Sequence, residues 1–333
     1  MAVRRSLLGV FIIVAMIVTS APSAPATTMP SAASGTQSVS DLGVFPGEVD
    51  SMALAINRKS VIVGWGYADG WSQPALWQRG TMKRLPLLAG QVEGAAYAIN
   101  SYGVIVGYGA TADSGYPQLA LIWTGGTPTD LAPGTPGAIA TDINDNGAVV
   151  GYQGGGHALL WQGGTTVDLG VLPGMTYSAA TGININGQVV GNSSSASGGH
   201  RPFLWQNGIM TNLGALPGAN ACVATAISDW GAVVGYCWGS GWPYRGFVWR
   251  DGAMASLDPL PGDTDSWALG INEKGDIVGS SFASGAIRHA VKWSKGHASD
   301  LGGLPGSQVN EAAGINQKGD IVGRSGSHAV SWP

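Results

Sequence analysis

The segment INDNGAVVGY, residues 143–152, indicates the fold because close variants of it recur along the chain. They read INSYGVIVGY from residue 99, ININGQVVGN from 183, INEKGDIVGS from 271 and INQKGDIVGR from 315. With two weaker copies, seven opening isoleucines follow one another at steps of 40 to 44 residues: Ile56, Ile99, Ile143, Ile183, Ile227, Ile271 and Ile315. A period in the low forties with this regularity indicates a repeat architecture.

Each copy predicts four short strands. An alanine stands three residues before each isoleucine, a glycine stands eight residues after it, and a tryptophan follows later: Trp77, Trp123, Trp161, Trp205, Trp249, Trp293 and Trp332. Glycines between the first and second strands, and between the third and fourth, favour tight hairpins. Four antiparallel strands per repeat form the blade of a β-propeller. We therefore predict an all-β, seven-bladed β-propeller of four-stranded antiparallel blades.

The apolar runs predict sheets that are covered on both faces. Segments such as VIVG do not alternate with polar residues, as a sheet with one wet face would require. The repeat alanine is expected on the first strand, near the crowded propeller axis. The repeat tryptophans are expected in the core, because each ring can bury about 150 to 250 Å².

The two ends of the repeat region predict a closed ring. A fourth strand with the sequence DL or a relative of it ends most copies, but the seventh copy stops at HAVSWP without one. The segment DLGVFPG, residues 41–47, precedes the first copy. We predict that this N-terminal strand joins the last blade, which removes the open sheet edge.

The N-terminal region has the pattern of a secretory signal peptide. Two arginines precede an apolar run at 7–18, and an Ala-Pro-Ala site follows at residues 24–26. We predict a signal peptide over 1–26, a flexible leader over 27–40 and the propeller domain over 41–333. The alternative is an uncleaved anchor. We expect the mature chain to have no membrane span, to be monomeric and to lie outside the cytoplasm.

The composition excludes several classes of protein. The 333 residues include 54 glycines without a triplet period, and 44% are hydrophobic, so neither collagen nor a low-complexity linker fits. Only 11% are charged and the net charge is -4, so no basic surface indicates nucleic-acid binding. The sequence shows no zinc pattern, phosphate loop or dinucleotide fingerprint. We therefore predict no metal and no cofactor.

Three segments carry a resemblance to a known family. HALLW (157–161), HAVKW (289–293) and HAVSW (328–332), together with GINxxG and VVG, resemble the extracellular HAF repeat family. The resemblance covers nearly all of residues 41 to 333. The histidine is replaced in four copies, by Gln73, Leu119, Arg201 and Arg245. The resemblance implies secretion, a bacterial or archaeal origin and a propeller-like repeat, and it assigns no reaction.

The repeat histidines do not predict a metal site. His157, His289 and His328 occupy equivalent positions in three copies, and equivalent positions in a ring are rotated away from one another. We expect them to hydrogen-bond loop backbone between blades.

The two cysteines, Cys222 and Cys237, both lie in the fifth copy. If its first hairpin is centred between Asp229 and Trp230, the two cysteines face each other and a structural disulfide is expected in a secreted protein. A one-residue bulge at Gly231 would instead put them on opposite faces.

One face of the ring is predicted to carry a binding site. The connections between the second and third strands and the connections between blades share this face, and they are variable and rich in aromatic residues. The candidate ligand-binding residues are Trp65, Tyr67, Trp71, Tyr116, Trp238, Trp242, Tyr244 and Trp267. Exposed aromatic side chains give contact area at low entropy cost, which favours recognition of a glycan or an extracellular protein. Alternatively, the glycine-rich loops fold back and bury these rings.

Three functions therefore stay open from the sequence. The favoured one is a secreted non-catalytic binding module. The second is a propeller glycan hydrolase or lyase that uses carboxylates such as Asp263, Asp265 and Glu93. The third is a cell-surface structural repeat without a small ligand.

Overall fold

A computed structural model describes residues 38–112, 118–196, 198–283 and 285–333, and these belong to one compact unit. They form 28 strands in seven four-stranded antiparallel sheets arranged as a β-propeller, and the described part contains no helix. It accordingly contains no helix with the length and hydropathy that a membrane crossing requires. The predicted fold class is confirmed.

The sheets are called blades 1 to 7 in chain order. β1 (Ser40–Gly43) precedes blade 1, which contains β2 (Ser51–Ile56), β3 (Ile62–Ala68), β4 (Trp71–Gln78) and β5 (Thr81–Arg84). Blade 2 contains β6 (Gln91–Ile99), β7 (Ile105–Thr111), β8 (Leu119–Thr124) and β9 (Thr127–Asp130); blade 3 contains β10 (Ala138–Ile143), β11 (Val149–Gln153), β12 (Ala158–Gln162) and β13 (Thr165–Asp168). Blade 4 contains β14 (Tyr177–Ile183), β15 (Val189–Ser194), β16 (His200–Gln206) and β17 (Ile209–Asn212); blade 5 contains β18 (Ala221–Ile227), β19 (Val233–Gly239), β20 (Trp242–Arg250) and β21 (Ala253–Leu257). Blade 6 contains β22 (Asp265–Ile271), β23 (Ile277–Phe282), β24 (Arg288–Ser294) and β25 (His297–Asp300); blade 7 contains β26 (Asn310–Ile315), β27 (Ile321–Ser325) and β28 (His328–Trp332).

The N-terminal strand closes the ring as predicted. β1 is the fourth strand of blade 7 and pairs antiparallel with β28, with Asp41 opposite Val330. Ser51 in blade 1 ties both ends together, because its Oγ donates to the Gly43 carbonyl at 2.8 Å and accepts the Ala329 N–H at 2.9 Å. The two chain ends of the propeller therefore share a sheet.

The repeat glycine is required by the close approach of two strands. In blade 1, Gly64 pairs directly with the repeat alanine Ala53, and a Cβ on Gly64 would overlap the Met52 carbonyl oxygen. The repeat glycines of the other six blades would meet the equivalent carbonyl in the same way. The seven repeat alanines are at most 1% exposed. Any larger residue at the glycine position would force the first two strands apart.

Each first strand carries a one-residue bulge immediately after its repeat alanine. In blades 3, 4 and 5 the bulged residue is a threonine, and its Oγ1 donates to the carbonyl of the repeat alanine in the next blade at 2.9–3.1 Å. Each hydroxyl also lies 3.1–3.3 Å from a carbonyl of the second strand in its own blade, so the bulged residue joins its own sheet to the next one.

The repeat tryptophans lie between blades. Five of the seven are buried, whereas Trp205 and Trp249 are half-buried against the same core. The Trp77 N–H donates to the Leu42 carbonyl at 3.0 Å, and the Trp123 N–H donates to the Pro86 carbonyl at 2.7 Å. Both acceptors belong to the preceding blade or its exit, so these rings fasten adjacent blades as well as filling the core.

A ring of asparagines, which the sequence analysis did not identify, runs around the axis. The side-chain amide of the Asn after each repeat isoleucine donates to the main-chain carbonyl of the corresponding residue in the next blade, at 2.9–3.3 Å. The bond from Asn316 to the Asn57 carbonyl closes the circle between blades 7 and 1. Blade 5 has Ser228 at this position. The Asp229 N–H beside it donates to Glu273 of blade 6, a second kind of link that blades 2 and 4 also make. Each such bond contributes about 0.5–1.5 kcal/mol.

Candidate functional site

The loops sort onto two faces as the sequence predicted. The variable face carries the connections between second and third strands and those between blades, and the narrow-turn face carries the other hairpins. One expectation is corrected: the aromatic segments of blades 1 and 5 are extended hairpins rather than loops. In blade 1 Ala68 pairs with Trp71 across a two-residue turn, and in blade 5 Gly239 pairs with Trp242. Extended strands present side chains at fixed positions, unlike mobile loops.

An aromatic cluster spans blades 5 and 6 on the variable face. Tyr236 stacks on Trp267 with ring centroids 5.4 Å apart and contacts Trp238 at 5.9 Å. Tyr244 meets Trp238 at 6.1 Å and Trp267 edge-on at 5.6 Å. These distances lie in the range of favourable ring pairs. The cluster consists of Tyr236, Trp238, Tyr244, Trp267 and Phe282, and its five rings are half-buried.

The cluster lies between the two predictions for the aromatic residues, which were exposure on the variable face and burial by folded-back loops. The rings fold against one another, but they retain partial exposure on the variable face. Burial raises the pKa of the Tyr236 hydroxyl to about 12, with smaller contributions from Tyr244 and Glu311. Glu311 belongs to blade 7, which is not adjacent to blade 5.

An ion pair lies at the edge of the aromatic cluster. The Arg288 guanidinium lies over the Trp267 ring at 4.5 Å and over the Phe282 ring at 4.9 Å. It also donates to Glu311 Oε2 at 3.3 Å. The Glu311 side chain is 2% exposed, and burial raises its pKa even though Arg288 and Arg324 act in the opposite direction. Sequence reasoning missed Tyr236 and Arg288. These two residues and Glu311 come from three different blades.

The disulfide beside the cluster is confirmed. Cys222 and Cys237 pair across β18 and β19 and are bonded. The predicted hairpin centre is wrong, because the turn runs from Ser228 to Ala232 and is centred on Trp230. The bulge at Thr225 shifts the register back by one residue, so the cysteines still face each other. Since Cys237 lies between Tyr236 and Trp238, the disulfide fixes the strand that carries both rings.

The remaining predicted aromatic residues do not join the cluster. Trp65 packs in a separate group in blades 1 to 3, with Tyr97, Tyr108 and Tyr152 as neighbours. Tyr67 is 41% exposed and its hydroxyl donates to the Gly70 carbonyl.

Two more of the predicted residues lie apart. Trp71 begins β4 and is half-buried. Trp242 packs against Gly218 and Ala219 on the blade 4 side of its sheet. Tyr116 lies outside the described residues. Of the eight predicted residues, the structure brings together Trp238, Tyr244 and Trp267.

The candidate catalytic carboxylates are held by local donors. Asp263 accepts the Ser281 hydroxyl at 2.6 Å, and Asp265 accepts the Tyr244 N–H at 2.8 Å. Glu93 accepts the hydroxyls of Tyr108 at 3.2 Å and Ser72 at 3.3 Å. These contacts order connections and strand ends on the variable face.

The repeat histidines have different partners from those predicted. Instead of loop backbone between blades, each bonds through Nδ1 to the aspartate of the fourth strand in its own blade. His157 bonds Asp168 at 2.9 Å, and His289 bonds Asp300 at 3.1 Å. The third pair joins His328 to Asp41 of β1 at 2.8 Å, across the ring closure.

The histidine pairs do not form a metal site in the described ranges. Within them, no group of three or more His, Cys, Asp or Glu side chains is placed to hold a metal ion. Asp300 raises the pKa of His289 by hydrogen bonding, and the pKa of Asp300 is lowered, with His289 among the groups that lower it. The repeat histidine and the DL motif therefore form a structural pair.

A cavity of about 430 Å³ lies on the axis at the narrow-turn face and is lined by all seven repeat isoleucines. Its acidic groups link blades: Asp145 accepts the Ser101 N–H, and Asp229 accepts the Ile185 N–H. Burial raises the pKa of Glu273, which accepts the Asp229 N–H. The polar groups of this cavity therefore serve the ring itself.

Asp142 is an unusual residue in the inner wall. It precedes Ile143, where the other six copies have alanine or glycine. Its Oδ1 accepts the Ile143 N–H at 2.8 Å, and its Oδ2 accepts the Ile183 N–H of blade 4 at 2.9 Å. Burial raises the pKa of Asp142 to about 7, against the lowering effect of both N–H groups. The side chain therefore links blades 3 and 4 by hydrogen bonds, but ionisation of the enclosed carboxyl group is unfavourable.

The fold and the site define a closed seven-bladed propeller with an aromatic cluster on one face. No protein-family model matches the chain, and no curated protein sequence matches it. Among solved structures, the chain is similar to the β-propeller domain of the Trilobed protease from Pyrococcus furiosus, described as having an open velcro topology. The TM-score is 0.56 and the identity 10%, over 87% of this chain and 94% of that one.

Two peptidases contain a similar fold. A puromycin-hydrolyzing peptidase of Mycobacterium tuberculosis matches with a TM-score of 0.57 and 10% identity, over 85% of this chain and 50% of that one. The Pyrococcus horikoshii acylaminoacyl peptidase matches with a TM-score of 0.52 and 10% identity, over 88% of this chain and 52% of that one. The chain thus spans about half the length of these peptidases. At such identities the likeness shows the fold alone.

Proposed function

We propose that the protein is a secreted, non-catalytic module that binds a glycan through the aromatic cluster of blades 5 and 6. The observation that carries the proposal is the continuous set of half-buried rings from Trp238 to Phe282, bordered by the Arg288–Glu311 pair. Aromatic rings supply apolar area for the C–H faces of sugars, and polar groups beside them can bind hydroxyls.

The rigidity of the cluster supports this role. The rings lie on strands, and the disulfide at Cys237 holds the strand that carries two of them. A preformed surface loses little entropy when a ligand binds, so more of the contact energy appears as affinity.

Binding is favoured over hydrolysis by the surroundings of the acidic residues. Asp263 and Asp265, the carboxylates proposed for catalysis, accept hydrogen bonds that order the connections around them. A glycosidase needs one carboxyl group as an acid and another as a base or nucleophile beside the scissile bond. The contacts of Asp263 and Asp265 give them an ordering role, and the proposal therefore rests on the aromatic cluster and not on a carboxylate pair.

Secretion and membership of the HAF repeat family belong to the same proposal. The signal-like pattern over 1–26 and the three histidine motifs, which form the His–Asp pairs at His157, His289 and His328, support them. Mass determination of the exported protein tests secretion: a mature N-terminus after Ala26 is expected, and retention of the intact segment in the cytoplasm would contradict it.

Glycan binding is tested on an array with the purified protein and matched tryptophan variants. Trp238→Ala and Trp267→Ala are expected to weaken binding at least tenfold, equivalent to about 1.4 kcal/mol. Trp230→Ala is the control, because Trp230 is 48% exposed on the narrow-turn face. Trp71→Ala reports whether blade 1 participates. Equal binding by all variants, or no binding by the unmodified protein, would refute the proposal.

A further inference from the structure

The Arg288–Glu311 pair has features that ordinary surface ion pairs lack. Glu311 is enclosed, with 2% of its side chain exposed, whereas Arg288 retains 24% exposure. One carboxylate oxygen, Oε2, accepts from Arg288. The other, Oε1, is buried and has no hydrogen-bond partner among the described residues. A buried acceptor left without a donor is energetically unfavourable.

Two further unpaired polar atoms lie in the same sector. Within the described chain, Trp267 Nε1 and Ser280 Oγ are buried and lack partners. Trp267 and Ser280 are opposite each other on β22 and β23, so their side chains project to the same side of the blade 6 sheet. Arg288 touches both the Trp267 ring and Glu311. The edge of the aromatic cluster thus contains one buried acceptor without a donor, Glu311 Oε1, and two buried donors without an acceptor, Trp267 Nε1 and Ser280 Oγ.

The Arg288–Glu311 pair carries no net charge when both groups are ionised. Arg324 is the cross-strand partner of Glu311 in blade 7. Its guanidinium donates to the Gly326 carbonyl at 2.9 Å, whereas Arg288 hydrogen-bonds Glu311. A ligand with a net charge would therefore add a charge without a partner beside this pair.

We infer that the Arg288–Glu311 pair is the specificity element of the glycan site and binds adjacent hydroxyl groups of an uncharged sugar residue. The inference rests on the proposed function. A hydroxyl both donates and accepts, which matches an open carboxylate oxygen beside N–H and O–H donors. Uronic acids and amino sugars carry a charge that this neutral ion pair does not match.

Binding requires a local movement of Arg288. In the free protein its guanidinium covers the Trp267 ring, and Glu311 Oε1 is enclosed beside it. The sugar ring takes the place of the guanidinium on Trp267, while Arg288 moves to the edge of the sugar and donates to it. Glu311 Oε1 then accepts a sugar hydroxyl, and Arg288 and Glu311 act as contacting residues.

The test compares sugars and variants by calorimetry on the full chain. The ligands are neutral hexoses (glucose, galactose, mannose), the matching uronic acids and glucosamine. At least one neutral hexose is expected to bind more tightly than its acid or amino counterpart. Glu311→Gln and Arg288→Gln are expected to weaken it at least tenfold. Arg250→Gln is the control, because Arg250 stacks on Trp230 at 4.7 Å on the opposite face.

The outcomes separate this inference from the proposed function. If neutral sugars bind and Trp238→Ala abolishes binding, but Glu311→Gln and Arg288→Gln bind normally, the site stands and the role of the pair is wrong. Tighter binding of uronic acids by the unmodified protein also overturns the inference. If no saccharide binds, the proposed function fails as well. Should Glu311→Gln not fold, Arg288→Gln decides the same question: weaker binding of the neutral sugar supports the role of the pair, and normal binding overturns it.

Discussion

Replacement of Asp142 by asparagine should stabilise the propeller at neutral pH and not at acid pH. Folding raises the pKa of Asp142 from its ordinary value near 3.9 to about 7, because the carboxylate is enclosed in the inner wall. Between these values the folded protein binds a proton that the unfolded chain has lost. Stability therefore falls as pH rises through this window. The amide of the variant does not titrate, so Asp142→Asn lacks this loss.

The magnitude follows from the size of the shift. Three pKa units at about 1.4 kcal/mol each give an upper limit of about 4 kcal/mol. The side chain keeps some exposure to the axis, and solvent screening reduces the effect, so about 2 to 4 kcal/mol is expected. The loss of one acceptor in the variant costs about 1 kcal/mol at all pH values.

Urea denaturation followed by tryptophan fluorescence measures the effect. The difference in unfolding free energy between Asp142→Asn and the unmodified protein should be near zero or slightly negative at pH 4 and should rise to a plateau above pH 7. Other titrating groups cancel in this difference because they are the same in both proteins. A difference that stays constant from pH 4 to 8, or that favours the unmodified protein more as pH rises, would refute the account of Asp142.

Three further predictions concern the framework. The double variant Cys222→Ala, Cys237→Ala should lose about 3 kcal/mol of unfolding free energy, as expected for a 15-residue separation, and an unchanged urea midpoint would contradict a stabilising disulfide. Deletion of residues 38–47 should expose the edge of β28 and give oligomers or precipitate by light scattering, and a monomer with the same melting temperature would disprove the closure. His289→Asn should cost no more than about 1 kcal/mol after solvent screening, because His289 and Asp300 are both about a third exposed. This loss of stability should be greatest between about pH 4 and 7, where both partners are charged. It should fade as the pH rises through the raised pKa of His289, and also as the pH falls through the lowered pKa of Asp300. A loss that does not depend on pH would exclude the ion pair.

The repeat made the framework predictable from sequence. Seven copies with one period specify seven blades, and the absent fourth strand of the last copy specifies the closure by β1. The disulfide was also predictable, although its prediction contained two register errors that cancelled. The turn is centred on Trp230 and not between Asp229 and Trp230, and an unpredicted bulge at Thr225 restores the register of the two cysteines. A bulge leaves little mark on a single sequence, so such cancellation could not have been foreseen.

The candidate site was only partly predictable, for a geometric reason. Trp238, Tyr244 and Trp267 stand out as tryptophan and tyrosine outside the repeat positions, and they do meet. Arg288 and Glu311 are single charged residues in two different blades, and only the completed ring brings them together.

Other features carried a signal that the sequence analysis did not use. Asparagine follows the repeat isoleucine in six of the seven copies, which is more than a turn requires. The structure explains it by the circle of amide-to-carbonyl bonds. Each blade with the repeat histidine also has the aspartate of the DL motif on its fourth strand, and the two side chains pair.

A crystal structure of the protein with a bound neutral sugar would show the binding site itself. We expect the sugar ring over Trp267 and beside Tyr244, with a hydroxyl within hydrogen-bond distance of Glu311 Oε1 and with Arg288 moved off the indole. A sugar bound only in the isoleucine-lined cavity of the narrow-turn face, or only against Trp65 and its neighbours, would contradict it.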